Sequence, residues 1–372
     1  MDLVSNQGSE RATSGGGGKL VSWNGKTHIV WQDCIAPARP IHGKGNVPKS
    51  DGYLNQVRTF DHKTGQFSSV CTLNKGVDNH ARPNIVMDYE GYLHAVISGH
   101  NSPVTYRRSV ERNDASGWTE PEIIGEGTYP IPVCGSDGTL YLTMRSADRW
   151  NGVDLYVKPS DEKWDKRTKL VHRDPDLTGY GAFHGGLAIS PEGILHTVID
   201  FYESEAIWHH RGLHQAVAYM KSDDGGRSWT RADGTPVELS ARPPQMDVIA
   251  RDIARERHEK IPPPLILAQG SILLDRDQQP HVFYIDHRRG PGQLMHAQLD
   301  GEGKWSRKPI HALNTAFPEH RPTGCRGSFT IRSDGTMFGL LELLPLGEGW
   351  KNGLPTRAMG FDENLSKRGR SH

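Results

Sequence analysis

One phrase recurs along this chain and restricts what it can fold into. A tight turn carrying Gly or Asp leads into a short alternating apolar run, often with a His or Tyr inside it. It is read six times: "SWNGKTHIVWQD" from residue 22, "MDYEGYLHAVIS" from 87, "GSDGTLYLTMRS" from 135, "ISPEGILHTVID" from 189, "LDRDQQPHVFYID" from 274 and "RSDGTMFGLLEL" from 332. A turn flanked by period-two alternation is a strand–turn–strand unit, because successive strand side chains point to opposite faces. Polar segments closed by a tryptophan lie between the phrases, at Trp118, Trp164, Trp229 and Trp305. The spacing between phrases is irregular but mostly in the range of four-stranded propeller blades, roughly 40–50 residues each plus loops, and such units bury their faces by stacking on one another. The expected fold is all-β, a seven-bladed β-propeller of four-stranded antiparallel blades, with the seventh blade made where C-terminal strands join the N-terminal one.

Composition agrees with many short strands and bounds the partners. The 42 Gly and 24 Pro supply turns. Lys+Arg and Asp+Glu balance at 44 each, so no overall field gathers nucleic acid. No stretch approaches the roughly 20 apolar residues that span a bilayer, and no membrane is expected as partner. Residues 1–18 read as a disordered leader and residues 19–372 as one propeller domain, with a helical insertion over 245–260 ("QMDVIARDIARERHEK") between blades. A monomer is expected. The opening residues carry no apolar core of a secretory signal, and the compartment is left open. Cys34, Cys71, Cys134 and Cys325 have no CxxC spacing and read as buried free thiols.

The segment "SDDGGRSW", Ser222 to Trp229, fits the S-x-D-x-G-x-S/T-W Asp-box. In that turn an Asp side chain satisfies backbone amides and the Trp packs inward. Asp224 is therefore read as structural, not catalytic.

Histidine raises a sharper question. "HARPNIVMDYEGYLHAVISGH", residues 80 to 100, has a histidine at each end of a hairpin and a third, His94, inside it. His80 and His100 can meet at one rim, where a propeller gathers its ligands. His94, like His28 and His196, reads as a packed strand residue.

The stretches "NHARPNIVMDYEGYLHAVISGHNSPVTYRRS" (79–109), "TYPIPVCGSDGTLYLTMRSADRWNGVDLYV" (128–157), "GGLAISPEGILHTV" (185–198) and "YMKSDDGGRSWTRADG" (219–234) resemble the BNR-repeat propeller polysaccharide lyases, the group of ulvan lyases and L-rhamnose-α-1,4-D-glucuronate lyases. The likeness spans most of residues 20–310. It implies an active site of His80, His100, Tyr129 and Arg145, acting on a secreted or periplasmic family's usual substrates, ulvan or a rhamnose-capped arabinogalactan or gum arabic glycan. Asn79, Arg82, Asn101, Tyr180, His184 and His214 are the candidate substrate contacts. Two features depart from the group: "HTVIDFYES" (196–204) lacks an Arg after its aromatic, and Phe183 and His184 stand where an ulvan lyase commonly has a Tyr.

The chemistry suits those residue types. Cleaving a 4-linked uronate by β-elimination requires loss of the C5 proton, neutralisation of the carboxylate and protonation of the leaving O4. Arg145 offers a fork for the carboxylate with His100 as a second donor, and Tyr129 and His80 divide the base and acid roles. The scheme requires no cofactor; a structural metal ion is left open. His209, His210, Arg211, His214, His287, Arg288 and Arg289 are read as loop residues able to line a path for an anionic glycan, without the paired spacing of a zinc site. The alternatives are a hydrolase on the same linkage, which ordinarily needs a carboxylate pair, and a non-catalytic glycan-binding propeller. A sialidase is disfavoured because no arginine triad assembles.

Overall fold

The computed structural model describes residues 4–5, 7–9, 17–35, 52–76, 80, 82–148, 152–206, 211–254, 265–288, 292–310, 317–331, 334–346 and 356–361. They form an all-β protein of antiparallel sheets, and the only helical element among them is a single 3-10 turn at Pro243–Gln245. No helix among them is long and apolar enough to cross a membrane. The chain divides into two compact units, residues 1–149 with 154–167, and residues 150–153 with 168–372.

The first unit opens with β1 (Leu20–Trp23), β2 (Lys26–Cys34), β3 (Tyr53–Asp61), β4 (Gln66–Phe67) and β5 (Cys71–Gly76). β1 to β4 follow one another in the sheet, and β5 pairs along the rest of β3. The β1–β2 turn is Asn24–Gly25, with φ of 42° and 75°. Both central residues of a hairpin turn matched to strand twist need positive φ, which Asn-Gly supplies at little cost. β1 pairs with β2 only from Ile29 back toward the turn. Residues 7–9 cover the remaining edge: the Ser9 amide donates to the Gln32 carbonyl at 2.8 Å, and the Cys34 amide to the Gln7 carbonyl at 2.8 Å. That corrects the expectation of a disordered leader for this piece. An open edge of backbone donors and acceptors recruits whatever chain is near.

The next sheet runs β6 (Pro83–Met87), β7 (Leu93–Ile97), β8 (Ser102–Arg108), β9 (Glu122–Cys134), β10 (Leu140–Ser146), β11 (Gly152–Lys158) and β12 (Asp165–His172), each paired with the next. β9 belongs to two four-stranded meanders. Its residues 122–127 pair with β8, and its residues 127–134 pair with β10. β7 is buried on both faces: Leu93, Ala95 and Ile97 pack with Val30, Val57, Leu73 and Ile85, whereas Val96 packs with Val104, Leu140, Leu142 and Met144. Each Leu, Ile, Val or Met side chain removed from water contributes ~1.5–3 kcal/mol, and Ala95 less.

The second unit holds β13 (Gly181–Ile189), β14 (Leu195–Ala206), β15 (Arg211–Ser222), β16 (Trp229–Thr230), β17 (Pro236–Val237) and β18 (Asp247–Ala254) in one sheet. It also holds the sheet β19 (Leu265–Leu274), β20 (Pro280–Asp286), β21 (Gln293–Leu299), β22 (Trp305–Pro309) and the sheet β23 (His320–Ile331), β24 (Met337–Pro345), β25 (Thr356–Phe361). The six phrases are the hairpins β1–β2, β6–β7, β9–β10, β13–β14, β19–β20 and β23–β24.

The helical insertion expected over 245–260 is corrected for its described part. Residues 247–254 form β18, paired antiparallel with residues 213–219 of β15. Met246, Ile249 and Ala250 are buried, which mimics helical spacing, but ladder pairing along an edge decides the backbone. Residues 255–260 lie outside the described residues.

The Asp-box has the geometry its residues imply. Asp224 Oδ1 accepts from the amides of Arg227 and Ser228, both at 2.9 Å, and from Ser222 Oγ at 2.8 Å, while Ser228 Oγ donates to Oδ2 at 2.7 Å. Partial burial acts to raise its pKa, but the bonds from Ser228, Ser222 and Arg227 take it down to about 2. Trp229 is buried, its indole N–H on the Gly226 carbonyl. Cys34, Cys71 and Cys134 are free thiols, the first buried and the other two partly buried, and burial pushes Cys134 up to about 12. The side chain of Cys325 lies outside the described residues.

Candidate functional site

Strand histidines separate into two kinds. His28, His94, His196 and His281 sit in the second strand of their hairpins and are buried. His94 Nδ1 bonds Tyr106 Oη at 2.7 Å and its Nε2 bonds Asp88 Oδ2 at 3.0 Å. His28 lies between Thr59 and Asn113, His196 Nδ1 meets Tyr219 Oη, and His281 bridges Asp275 and His296. These are packed polar residues, as the sequence suggests for His28, His94 and His196.

His80 and His100 are of the other kind. They are not fully buried, and their rings stack at 4.2 Å between centroids with 15° between planes. Tyr129 joins them, its ring 5.9 Å from that of His80. Two cations stand against the same phenol: Arg145 Cζ at 5.0 Å from the ring centroid and Arg82 Cζ at 5.1 Å. All four residues of the expected catalytic set therefore converge within the first unit, together with Arg82 and Asn101.

The backbone is shaped to bring them there. Between the pairs Arg145↔Thr128 and Thr143↔Ile131, β9 contributes Tyr129 and Pro130 opposite the single residue Met144 of β10. This β-bulge re-aims one side chain out of the pleat. Tyr129 accordingly adopts φ 58°, and Asn101, just past the β7 hairpin's second strand, adopts φ 50°. The left-handed region costs a bulky residue ~1–2 kcal/mol, and strain of this kind clusters at functional sites.

A buried floor fixes the cations. Arg145 and Arg82 are 2% and 4% exposed. Arg145 Nη2 donates to Asn101 Oδ1 at 3.2 Å and to Thr128 Oγ1 at 3.3 Å. Thr128 Oγ1 also donates to Asn101 Oδ1 at 3.1 Å and accepts the Asn101 amide at 2.8 Å. The Thr128 hydroxyl thus ties the strained Asn101 turn to Arg145. On the other side the His80 carbonyl accepts from the Arg82 amide at 2.9 Å and from Ser98 Oγ at 3.1 Å. The arrangement presents two imidazoles and a phenol above two guanidinium groups, a set able to bind a carboxylate and move protons beside it.

The remaining candidates distribute as follows. Asn79, His209, His210 and Arg289 lie outside the described residues, as does the Arg211 side chain. Tyr180, His184 and His214 belong to the second unit: Tyr180 packs edge-on to Tyr202 at 5.8 Å, His184 stands opposite Asp200 in the ladder, and His214 Nε2 lies 3.4 Å from Glu205 Oε1. His214 is on β15 rather than a loop. Arg288 is held by Asp286 through several bonds, the shortest 2.6 Å. Among the described residues no group of three His, Cys, Asp or Glu side chains could hold a metal ion. Sequence reading passed over Thr128, Lys19 and Asn84. Asn84 carried one signal, a polar residue inside the apolar run "PNIVM".

Comparison with known proteins bears on the fold and the family. The model of the BNR repeat-containing family matches residues 44–313. The ulvan lyase PL25 of Pseudoalteromonas sp. (strain PLSV) is 24% identical over 298 residues, 68% of this chain; the chain spans 58% of that relative's length. The solved structure of a PL25 ulvan lyase bound to -[GlcA(1-4)Rha3S]- superposes with a TM-score of 0.64 at 15% identity, over 97% of this chain and 87% of that one. The K499G mutant of NanB sialidase from Streptococcus pneumoniae gives 0.52 at 11% identity, over 98% and 72%. At such identities the structural likenesses establish the fold. The family match, which covers most of the chain and the whole quartet, settles the membership: this protein belongs to the BNR repeat-containing family and is similar to ulvan lyases.

Proposed function

We propose that this protein is a polysaccharide lyase that cleaves an L-rhamnosyl-α-1,4-D-glucuronate linkage by β-elimination, leaving an unsaturated uronate. One observation carries the reading: His80, His100, Tyr129 and Arg145, far apart in sequence, meet at a strained bulge over a floor of buried cations. In this mechanism Arg145 neutralises the uronate carboxylate, which makes C5–H acidic, and His100 donates a second bond to it. His80 and Tyr129 act as the proton-transfer pair, one removing the C5 proton and the other protonating O4 as the C4–O bond breaks. Electrons of the C5–H bond become the C4–C5 double bond. Fixed cations stabilise the intermediate charge, and the mechanism draws on no cofactor.

The substrate is an anionic glycan of the ulvan or rhamnose-capped arabinogalactan type. Arg82 and Asn101, with Asn79, serve the subsite at the quartet, and Tyr180, His184 and His214 supply further contacts. The similarity to an ulvan lyase supports this class. The sheets are taken as blades of one propeller over residues 19–372, working as a monomer. Seven blades would require one more than the six meanders of the described residues.

Incubation with ulvan and with rhamnose-capped glucuronate oligosaccharides tests the reading. The expected product carries the ultraviolet band of an unsaturated uronate. A saturated glucuronate would replace elimination by hydrolysis, and binding without any product would make the protein a glycan-binding module.

A further inference from the structure

The stretch before β1, "SGGGGK", reads as a linker, yet its described end, Gly17 to Lys19, packs on the β6 strand that leaves the site. Lys19 is buried, and its Nζ donates to the Pro83 carbonyl and, at 2.7 Å, to Asn84 Oδ1. Asn84 is 2% exposed, and its Nδ2 donates to the Pro130 carbonyl at 2.7 Å. Pro83 follows Arg82, and Pro130 follows Tyr129. One amine and one amide thus join the strand leaving His80 and Arg82 to the bulge that carries Tyr129.

Two glycines make the approach feasible. Gly17 has φ 90°, and a Cβ there would lie 2.8 Å from Asn84 Oδ1; a Cβ on Gly18 would lie 2.5 Å from the Ile85 carbonyl. The Gly18 carbonyl instead accepts the Ile85 amide at 2.8 Å. Gly17 and Gly18 form a close-packed rail beside β6, consistent with the rule that glycine marks close backbone approach. Burying an amine is costly unless its hydrogens are taken up, and a fold that needed only apolar filling there would do better with Met or Leu. Burial, reinforced by the Arg82 charge, lowers the Lys19 pKa well below the usual lysine value. Either protonation state can donate both bonds.

We propose that Lys19 and Asn84 are positioning residues, a buried strut that sets the Tyr129 phenol relative to His80 and Arg82. The claim deepens the lyase reading and rests on it for its kinetic consequence. A displacement of ~1 Å at a reacting group costs on the order of 100-fold in rate.

Asn84→Asp isolates the strut: the carboxylate still accepts from Lys19, but it cannot donate to Pro130. The crystal structure of this variant and its steady-state kinetics are measured together, with Lys19→Met as the second variant. The expected result is a Tyr129 ring moved by ~1 Å from its 5.9 Å separation from His80. With it, kcat should fall ~10- to 100-fold per folded molecule while KM stays within about twofold, the split expected when an interaction made only in the transition state is weakened. A ring that stays in place in both variants overturns the proposal, whatever the activity. If the wild-type protein makes no unsaturated product, the lyase reading fails, and the ring displacement alone still decides the strut. Failure of both variants to fold would make Lys19 and Asn84 fold elements and would also overturn it.

Discussion

Replacing Tyr129 separates its chemical role from its structural one. Tyr129→Phe removes only the hydroxyl and keeps the ring against Arg82 and Arg145, at 5.1 and 5.0 Å. Stability should therefore change by no more than ~1.5 kcal/mol, the net worth of a hydroxyl's hydrogen bonding, a shift of a few degrees at most in Tm. Turnover should fall 10²- to 10⁴-fold, the usual worth of a positioned proton-transfer group, on the order of 3–5 kcal/mol in the barrier. Tyr129→Gly adds a second readout. It relieves a left-handed residue at φ 58°, worth ~1–2 kcal/mol, and gives up two cation–ring interactions of ~0.5–1 kcal/mol each. Lost ring burial and the greater freedom of glycine in the unfolded chain add to the cost, so the glycine variant should melt below wild type and be inactive. Initial rates from the unsaturated-uronate absorbance and calorimetric melting give both numbers. Wild-type turnover in Tyr129→Phe would refute the proton-transfer role, and a glycine variant no more stable than Tyr129→Ala would refute the account of the strain.

Three further outcomes are expected. Arg145→Lys keeps the charge but cannot offer the uronate carboxylate a planar fork, so kcat should drop by roughly 100-fold; near-normal rates on the oligosaccharide would remove Arg145 from carboxylate binding. Asp224→Ala deletes the acceptor of two amides and two hydroxyls in the Asp-box and should cost ~2–3 kcal/mol in denaturant unfolding, with unaltered kcat per folded molecule. Burial, aided by the Lys221 charge, lowers the His196 pKa to about 4. The stability held by the neutral imidazole is complete above ~6.5 and is lost as pH falls from there toward 4, amounting to about 3 kcal/mol. Urea midpoints at neutral and acidic pH should converge in His196→Asn, and an unchanged pH dependence would assign the acid sensitivity elsewhere.

The hairpins were legible because a turn signal and an alternating run are both local: Asn24–Gly25 specifies its turn, and Leu93 to Ile97 specifies a strand. His80, His100, Tyr129 and Arg145 were legible from motif resemblance, and the structure brings all four together in one unit. What escaped is what depends on partners distant in sequence. Thr128 joins Asn101 to Arg145 through one hydroxyl, and Lys19 reaches Asn84 across 65 positions; neither bond leaves a periodic trace. Residues 247–254 misled for a related reason. Their burial at 246, 249 and 250 has helical spacing, and only the neighbouring β15 reveals that the backbone is extended.

β9 has one further consequence, for how such a protein can be taken apart. Its first half completes one meander and its second half begins the next, with Tyr129 just past the changeover. A gene rearrangement that swapped whole hairpins at their loops would leave this join intact only if both meanders travelled as a pair. Residues from β6 to β12 are thus the pair of whole meanders that carries the bulge with both of its hydrogen-bonding neighbours, β8 and β10, and chimaeras cut between residues 122 and 134 should lose the tyrosine's orientation even where each half remains a sound sheet.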